Sequence, residues 1–448
     1  MEDFFYKNII LPSINIYKGH NRIKYYNQIK KRDYLMTEEL KNLQWSNLKK
    51  LLNHCYKNIP YYTELFNSLN IIPDDIKTLK DYSQIPILDK TVIRDQHEKL
   101  LDMSLSQNDL IFSTTGGSTG IPLKIYKSKE DQEYGFALRY RSNSWVGWNY
   151  WDKSAWVVSD LKRLDELNNF KRKMGLTLRR KLLLDTRKSS KSDMMKWVED
   201  LQQFKPKQVY GYSALLTEFA KFIVENNIKI DGVEGVFSTA EPLNGRDVLN
   251  KAFNAPVYDQ YGSSEMPCIA HECRHGNMHV NIDEVLVEYE DIEGTNDVKK
   301  IICTPLYIKG MPLLRYDIGD TGLPTDKTCT CGLPYPLMDF KVGRISDHFL
   351  LSDGKVIPTS AMGWFIAREM KEVKQYKIIQ EDFDYFRINL VCSAESRPYN
   401  QDKMIKILNN LTQKEDIRYE FEYPDEILPD KNGKFRVTIS KVLEKVKK

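Results

Sequence analysis

The sequence lacks any apolar run of about 18 residues, so no membrane-spanning helix is expected. It also lacks charge of one sign. Its 66 Lys and Arg stand against 62 Asp and Glu, a formal +4 over 448 residues, and the two signs are interspersed. A duplex-binding protein would carry a basic face, so nucleic acid is not an expected partner. Cysteine is scarce and odd in number, at seven. That excludes a disulfide framework and points to a reducing compartment, the cytoplasm, with free thiols or a metal site. The opening "MEDFFYKNIILPSINIYKG" has neither a basic start nor a proper apolar stretch, so it does not read as an export signal. No internal repeat or low-complexity tract is present.

What remains is a 41% apolar, 29% charged chain of the soluble globular kind, long enough for two or three domains. Its densest basic run, "KRLDELNNFKRKMGLTLRRK" (Lys162–Lys181), reads first as a solvated helix face and second as an anion or membrane-surface contact.

Residues 1–105 read as mainly helical. In "MTEELKNLQWSNLKKLLNHCYK" the apolar residues Leu40, Leu43, Trp45, Leu48, Leu51 and Leu52 recur at three and four, which makes an amphipathic helix. Beyond about 105 the pattern changes to short β-rich runs between helices ("KSAWVVSD", "PKQVYGYS", "VEGVFSTAEP", "APVYDQYG"), the mark of an α/β core over 106–343. After "KVGRISD" a further strand–helix–strand series suggests a small C-terminal α+β domain, 344–448.

The motif that draws the eye is "STTGGSTGIP", Ser113–Pro122. Its glycines permit positive φ and close backbone approach, successive N–H groups can form an anion cradle, and the hydroxyls add donors, so phosphate is the expected guest. The spacing is not that of Walker A. Four further stretches follow in order: "YGSSE" (Tyr261–Glu265) after a strand, "RYDIGD" (Arg315–Asp320), Gly343-Arg344, and "NGKFR" (Asn432–Arg436) presenting Lys434. Strand ends are where α/β proteins bind ligands.

This ordered set resembles the adenylate-forming superfamily of acyl-CoA synthetases, and within it the phenylacetate–coenzyme A ligases and CapK-type capsular-polysaccharide proteins. "NIPYYTELF…IPILDKTVIRD" (Asn58–Asp95) and "FSTAEPL" (Phe237–Leu243) are similar to that branch as well. The resemblance implies a large multi-sheet α/β N-terminal domain with a small mobile C-terminal one. It implies that Ser113, Thr114, Thr115, Gly116, Gly117, Ser118, Thr119 and Gly120 wrap the β- and γ-phosphates of ATP. Ala240, Glu241 and Pro242 would form the adenine segment, and Tyr261 would stack on the base within the Gly262-Ser263-Ser264-Glu265 turn. Glu265 would ligate Mg²⁺, Asp320 and Arg344 would meet the ribose, and Lys434 would contact the reacting carboxylate and α-phosphate. Lys434, Glu265 and Thr115 are the implied catalytic set.

Joining a carboxylate to an α-phosphate brings two anions together, so the chemistry is positioning and charge neutralisation, with no general base needed. The expected product is an acyl-AMP with pyrophosphate. The glycine-bearing segment that admits CoA in relatives is not evident in "HFLLSDGKVIPTS", so the acceptor stays open between CoA, a carrier protein, and an amine or hydroxyl of a sugar or amino acid. A nucleotide-binding scaffold without catalysis is the third reading.

A second constellation stands apart. Cys273, His279, Cys329 and Cys331 offer zinc's preferred ligands, four of them making a closed structural site, with His271 as the substitute for His279. Tyr134, Phe136, Trp145, Trp148, Tyr212 and Phe237 read as core aromatics first and as an acyl pocket second.

Overall fold

The computed structural model describes residues 2–114, 123–158, 170–186, 190–240, 243, 245–292, 295–342, 349–353, 356–357, 370, 372–427 and 437–442. Two units make up the chain. One comprises Met1–Ser113, Leu123–Tyr150 and Asp259–Gly343, and the other the remainder.

The first unit begins in helices. Thr37–Asn58 carries the expected amphipathic pattern, with Leu40, Leu48, Leu51, Leu52 and Cys55 buried. It stops where Pro60, which cannot donate to a continuing helix, opens the next one, Pro60–Ser68. Strands β1 (Leu110–Thr114) and β2 (Lys124–Ser128) then pair as a two-stranded sheet on either side of the Gly/Ser/Thr loop. A capping box starts the helix Lys129–Ser144: Asp131 N donates to Ser128 Oγ at 3.0 Å, and Asp131 accepts from Ser128 N at 2.9 Å. The same carboxylate accepts from the amides of Lys309 and Gly310, both at 3.0 Å, so one buried acid fixes two segments of the chain.

In the second unit, β3 (Ser154–Val157), β4 (Lys181–Leu183), β5 (Gln208–Tyr212) and β6 (Gly235–Thr239) run parallel in the order β4-β3-β5-β6. Parallel strands need crossovers, and helices Lys191–Phe204 and Ser213–Glu225 supply them. Val157, Leu201, Val209, Phe219, Ile223 and Val236 form the core between them.

Strand β7 (Val257–Tyr261) passes from the second unit into the first. There its last residues pair with β8 (Ala270–Glu272), which pairs in turn with β9 (Met278–Val280), through Gln260↔His271 and His271↔His279. Next come β10 (Val285–Ile292), β11 (Thr295–Pro305), β12 (Tyr316–Pro324) and β13 (Met338–Val342), an antiparallel sheet in that order. Leu51, Tyr62, Tyr82, Ile301, Leu314 and Tyr316 belong to the core shared by these strands and the N-terminal helices.

Back in the second unit lie the hairpin β14 (Phe349–Leu350)–β15 (Val356–Ile357) and a four-stranded sheet. The latter is built from β16 (Gln375–Asp382), β17 (Tyr385–Val391), β18 (Arg418–Glu422) and β19 (Thr438–Ser440), in the order β18-β17-β16-β19. Residues of β16 and β17 alternate buried and half-buried, as a sheet with one face turned to the core demands. Met404, Ile407 and Leu408 of helix Arg397–Thr412 belong to the core of this sheet.

Candidate functional site: the Tyr261–Glu265 turn and a Cys/His cluster

The chain leaves β7 through Tyr-Gly-Ser-Ser-Glu. Gly262 is required by approach rather than by φ: a Cβ there would stand 2.5 Å from the carbonyl oxygen of Pro267. That closeness folds the turn tightly, with Ser263 N donating to the Met266 carbonyl at 2.8 Å and Met266 N to Ser263 Oγ at 3.1 Å. Ser264 is left exposed while Glu265 is turned inward, 1% exposed. A carboxylate so buried needs donors, and the phenol of Tyr316 on β12 supplies one at 2.7 Å.

Asp320 reaches the same region by a different device. The β11–β12 register shifts between Lys300 and Ile302, and Gly319 sits at φ +82°, a conformation that glycine adopts without a Cβ penalty. The bulge places Asp320 so that its Oδ2 accepts from the Tyr261 phenol at 3.0 Å. Tyr261, Glu265 and Asp320, from two sequence stretches, thus converge through Tyr261–Asp320 and Glu265–Tyr316 bonds. Lys127, at the end of β2, donates to the Ser264 carbonyl at 2.6 Å and joins the turn to the strand that follows the Gly/Ser/Thr loop.

Other implied residues stand as follows. Ser113 lies on β1, its Oγ 3.5 Å from the Ile125 carbonyl, and Thr114 ends that strand. Ala240, one residue beyond β6, holds φ +71°, a strained conformation for a residue with a Cβ. Thr115, Gly116, Gly117, Ser118, Thr119, Gly120, Glu241, Pro242, Arg344 and Lys434 lie outside the described residues.

The second constellation is compact. Ligand atoms of Cys273, His279, Cys329 and Cys331 all lie within 4.8 Å of one another. Cys273 Sγ is 3.6 Å from Cys329 Sγ, and Cys331 Sγ is 3.3 Å from His279 Nε2. His279 Nδ1 bonds the Tyr335 carbonyl at 2.7 Å, which fixes the proton on Nδ1 and turns the Nε2 lone pair toward the sulfurs. Burial holds this imidazole below its usual pKa, hence neutral near pH 7. Amide donors from His275 (3.4 Å to Cys273 Sγ) and Asn277 (3.3 Å to Cys329 Sγ) suit thiolates. His271 is not part of the group. It is fully buried, bonded to Gln260, Asn143 and the Glu272 carbonyl, and burial pulls its pKa down to about 4.

The aromatics have other partners. Tyr134 donates to Glu284 at 2.5 Å and stacks on Tyr307, Phe136 lies under the Arg22 guanidinium, and Trp145 packs on Tyr335. Sequence reading did not single out Tyr316 or Lys127, although both stand within or beside quoted motifs. It also passed over the buried pair Arg141–Asp283 (2.5 and 3.0 Å), which braces the segment after β9 and for which no local pattern gives a signal.

Comparison with known proteins now bears on this geometry. A family model described as the CapK C-terminal domain matches residues 349–441. Protein CapK of Staphylococcus aureus is 26% identical over 434 residues, covering 93% of this chain and 92% of that one. A phenylacetate-coenzyme A ligase of Thermus thermophilus is 25% identical over 360 residues, 77% of this chain and 79% of its own. Among solved structures, 2-hydroxyisobutyryl-CoA ligase in complex with 2-HIB-AMP and CoA gives a TM-score of 0.62 at 18% identity, over 93% of this chain and 92% of that one. The fold is that of the adenylate-forming ligases. Over most of its length the chain is similar to CapK and to a phenylacetate–coenzyme A ligase, and its C-terminal part matches the CapK C-terminal domain.

Proposed function

We propose that this protein is a Mg²⁺- and ATP-dependent ligase that activates a carboxylic acid as its adenylate and then passes the acyl group to a thiol. The observation that carries the reading is the convergence of Tyr261, Asp320 and Glu265 at the end of β7. An aromatic ring, a carboxylate for ribose hydroxyls and a carboxylate for a divalent cation are the groups a nucleotide with its metal requires. Ser113–Gly120 would grip the β- and γ-phosphates, Ala240–Pro242 and Tyr261 the adenine, and Asp320 with Arg344 the ribose.

In the first step an oxygen of the substrate carboxylate bonds to the α-phosphorus, the bond to the bridging β-phosphate oxygen breaks, and pyrophosphate leaves. Glu265 would hold a magnesium ion, which would supply positive charge there, and Lys434 would bring a compact cation to the entering carboxylate. In the second step a thiolate displaces AMP. The likeness to a phenylacetate–coenzyme A ligase supports CoA as acceptor, the resemblance to CapK-type proteins supports surface-polysaccharide synthesis as context, and the seven free cysteines support the cytoplasm as setting.

We also propose that Cys273, His279, Cys329 and Cys331 hold one structural zinc. Their four convergent ligand atoms support this, as does the anchored His279 Nδ1.

The test is ATP–pyrophosphate exchange with Mg²⁺ across aromatic, fatty and amino acids. At least one acid should support exchange, and Lys434→Ala should abolish it while leaving ATP binding. A chain that binds Mg·ATP yet exchanges with no acid returns the catalytically silent scaffold to first place.

A further inference from the structure

The basic run includes the helix Phe170–Leu178, which belongs to the second unit. On it Phe170, Met174 and Leu178 recur at i, i+4 and i+8, the spacing of a single helix face. In a soluble protein such a row is ordinarily the buried one. Here it is turned outward: Phe170 is 81% exposed, Met174 50% and Leu178 51%. At 100° per residue, Lys171 and Lys173 fall on either side of that row, and both are exposed.

Charge sharpens the picture. The stretch Lys162–Lys181 holds eight Lys and Arg against two Asp and Glu, a net +6, whereas the whole chain is +4. The remaining residues therefore sum to −2. Within the helix itself Lys171, Arg172 and Lys173 stand with no acidic residue.

We propose that the helix Phe170–Leu178 is a docking face for an anionic lipid bilayer. A second copy of the chain is the poorer occupant, since a symmetric contact would set two basic helices, each without an acidic residue, against each other. Three apolar side chains along about 12 Å of helix are also too few for a specific protein interface, which buries roughly 1,200 Å² or more. They suffice for shallow insertion at the headgroup boundary, where Phe, Met and Leu enter the acyl region and flanking lysines meet anionic headgroups. The proposal stands or falls independently of the ligase reading.

The experiment is co-sedimentation of the full chain with vesicles of phosphatidylcholine alone or with about 30% phosphatidylglycerol. The anionic vesicles should bind at least about tenfold more tightly, and salt near 0.5 M should release the protein by screening the lysines. Phe170→Glu with Met174→Glu should cut partitioning about tenfold or more without lowering the melting temperature, because both side chains are exposed. Equal sedimentation with both vesicle types, or unchanged binding by the double variant, overturns the proposal. So does a dimer in light scattering that the double variant dissolves in the absence of lipid.

Discussion

Two corners of the first unit bear comparison: the Tyr261–Glu265 turn and the Cys/His cluster. A single three-strand ladder joins them, since Gln260 pairs with His271 and His271 with His279, about 10 Å across at ordinary strand spacing. Their internal states differ. Around the turn each buried carboxylate already has a phenol, Glu265 with Tyr316 and Asp320 with Tyr261, and Ser264 is open to solvent. In the cluster the four ligand atoms face one another. The difference teaches how each corner would meet the guest proposed for it. Hard oxygen ligands kept satisfied by exchangeable hydrogen bonds fit a ligand that enters and leaves, whereas closed soft ligands fit an ion that stays.

The strongest way to break that comparison is Glu265→Ala. If Glu265 orients the metal, exchange should fall by about 10²–10³, the usual cost of losing one preorganised electrostatic contact. Zinc content should not change. Exchange within a factor of two of wild type would separate Glu265 from the chemistry.

The reciprocal change is Cys329→Ser with Cys331→Ser. Metal analysis should fall from about one zinc per chain to near zero, because two of four ligands are lost. The melting temperature should drop by several degrees, at roughly 2–4 °C for each kcal/mol in a unit of this size. Mg·ATP affinity should change only a few-fold, because the turn keeps its own bonds to Tyr316 and Asp320. A double variant that retains zinc and its melting temperature removes the metal claim without touching the turn.

How far each corner could be read from sequence follows from how local its cause is. Cys-x-Cys puts two sulfurs on one short loop, and the pairing of Cys273 and His279 with it needs only that two loops meet, so the grouping of these four side chains was legible. His279 was the first choice and His271 its substitute, and strand register separates them: the two are direct cross-strand partners on β8 and β9, and His279 lies 3.3 Å from the Cys331 sulfur. "YGSSE" and "RYDIGD" were legible as separate motifs, yet the Tyr316–Glu265 bond depends on how β12 meets the turn after β7. Helix Thr37–Asn58 showed itself through period alone. The units are discontinuous in the chain, and composition shifts mark where elements change rather than which of them pack together.

Lys127 offers the finest test, because it touches the turn without being part of either motif. Burial is the main cause that draws its ammonium down to about 8; Glu265 and Asp131 oppose that fall, and Arg139 adds to it. The sign is definite. Below about 8 the group is an ammonium bonded to the Ser264 carbonyl; above 8 it becomes a neutral amine and the link weakens. Folding responds in the opposite sense, since a lysine held below its unfolded pKa is penalised while charged and relieved as pH rises through 8. If the charged link holds the turn for nucleotide, wild-type affinity for Mg·ATP should fall up to about tenfold between pH 7 and 9.5, the scale of a charge-assisted hydrogen bond. Lys127→Met should start about tenfold weaker at pH 7 and show no such slope, and Lys127→Arg should recover most of the affinity and move the slope out of range, since arginine stays charged. Calorimetric titration across that window decides it: superimposable wild-type and Lys127→Met profiles would make Lys127 a surface lysine that happens to meet a carbonyl.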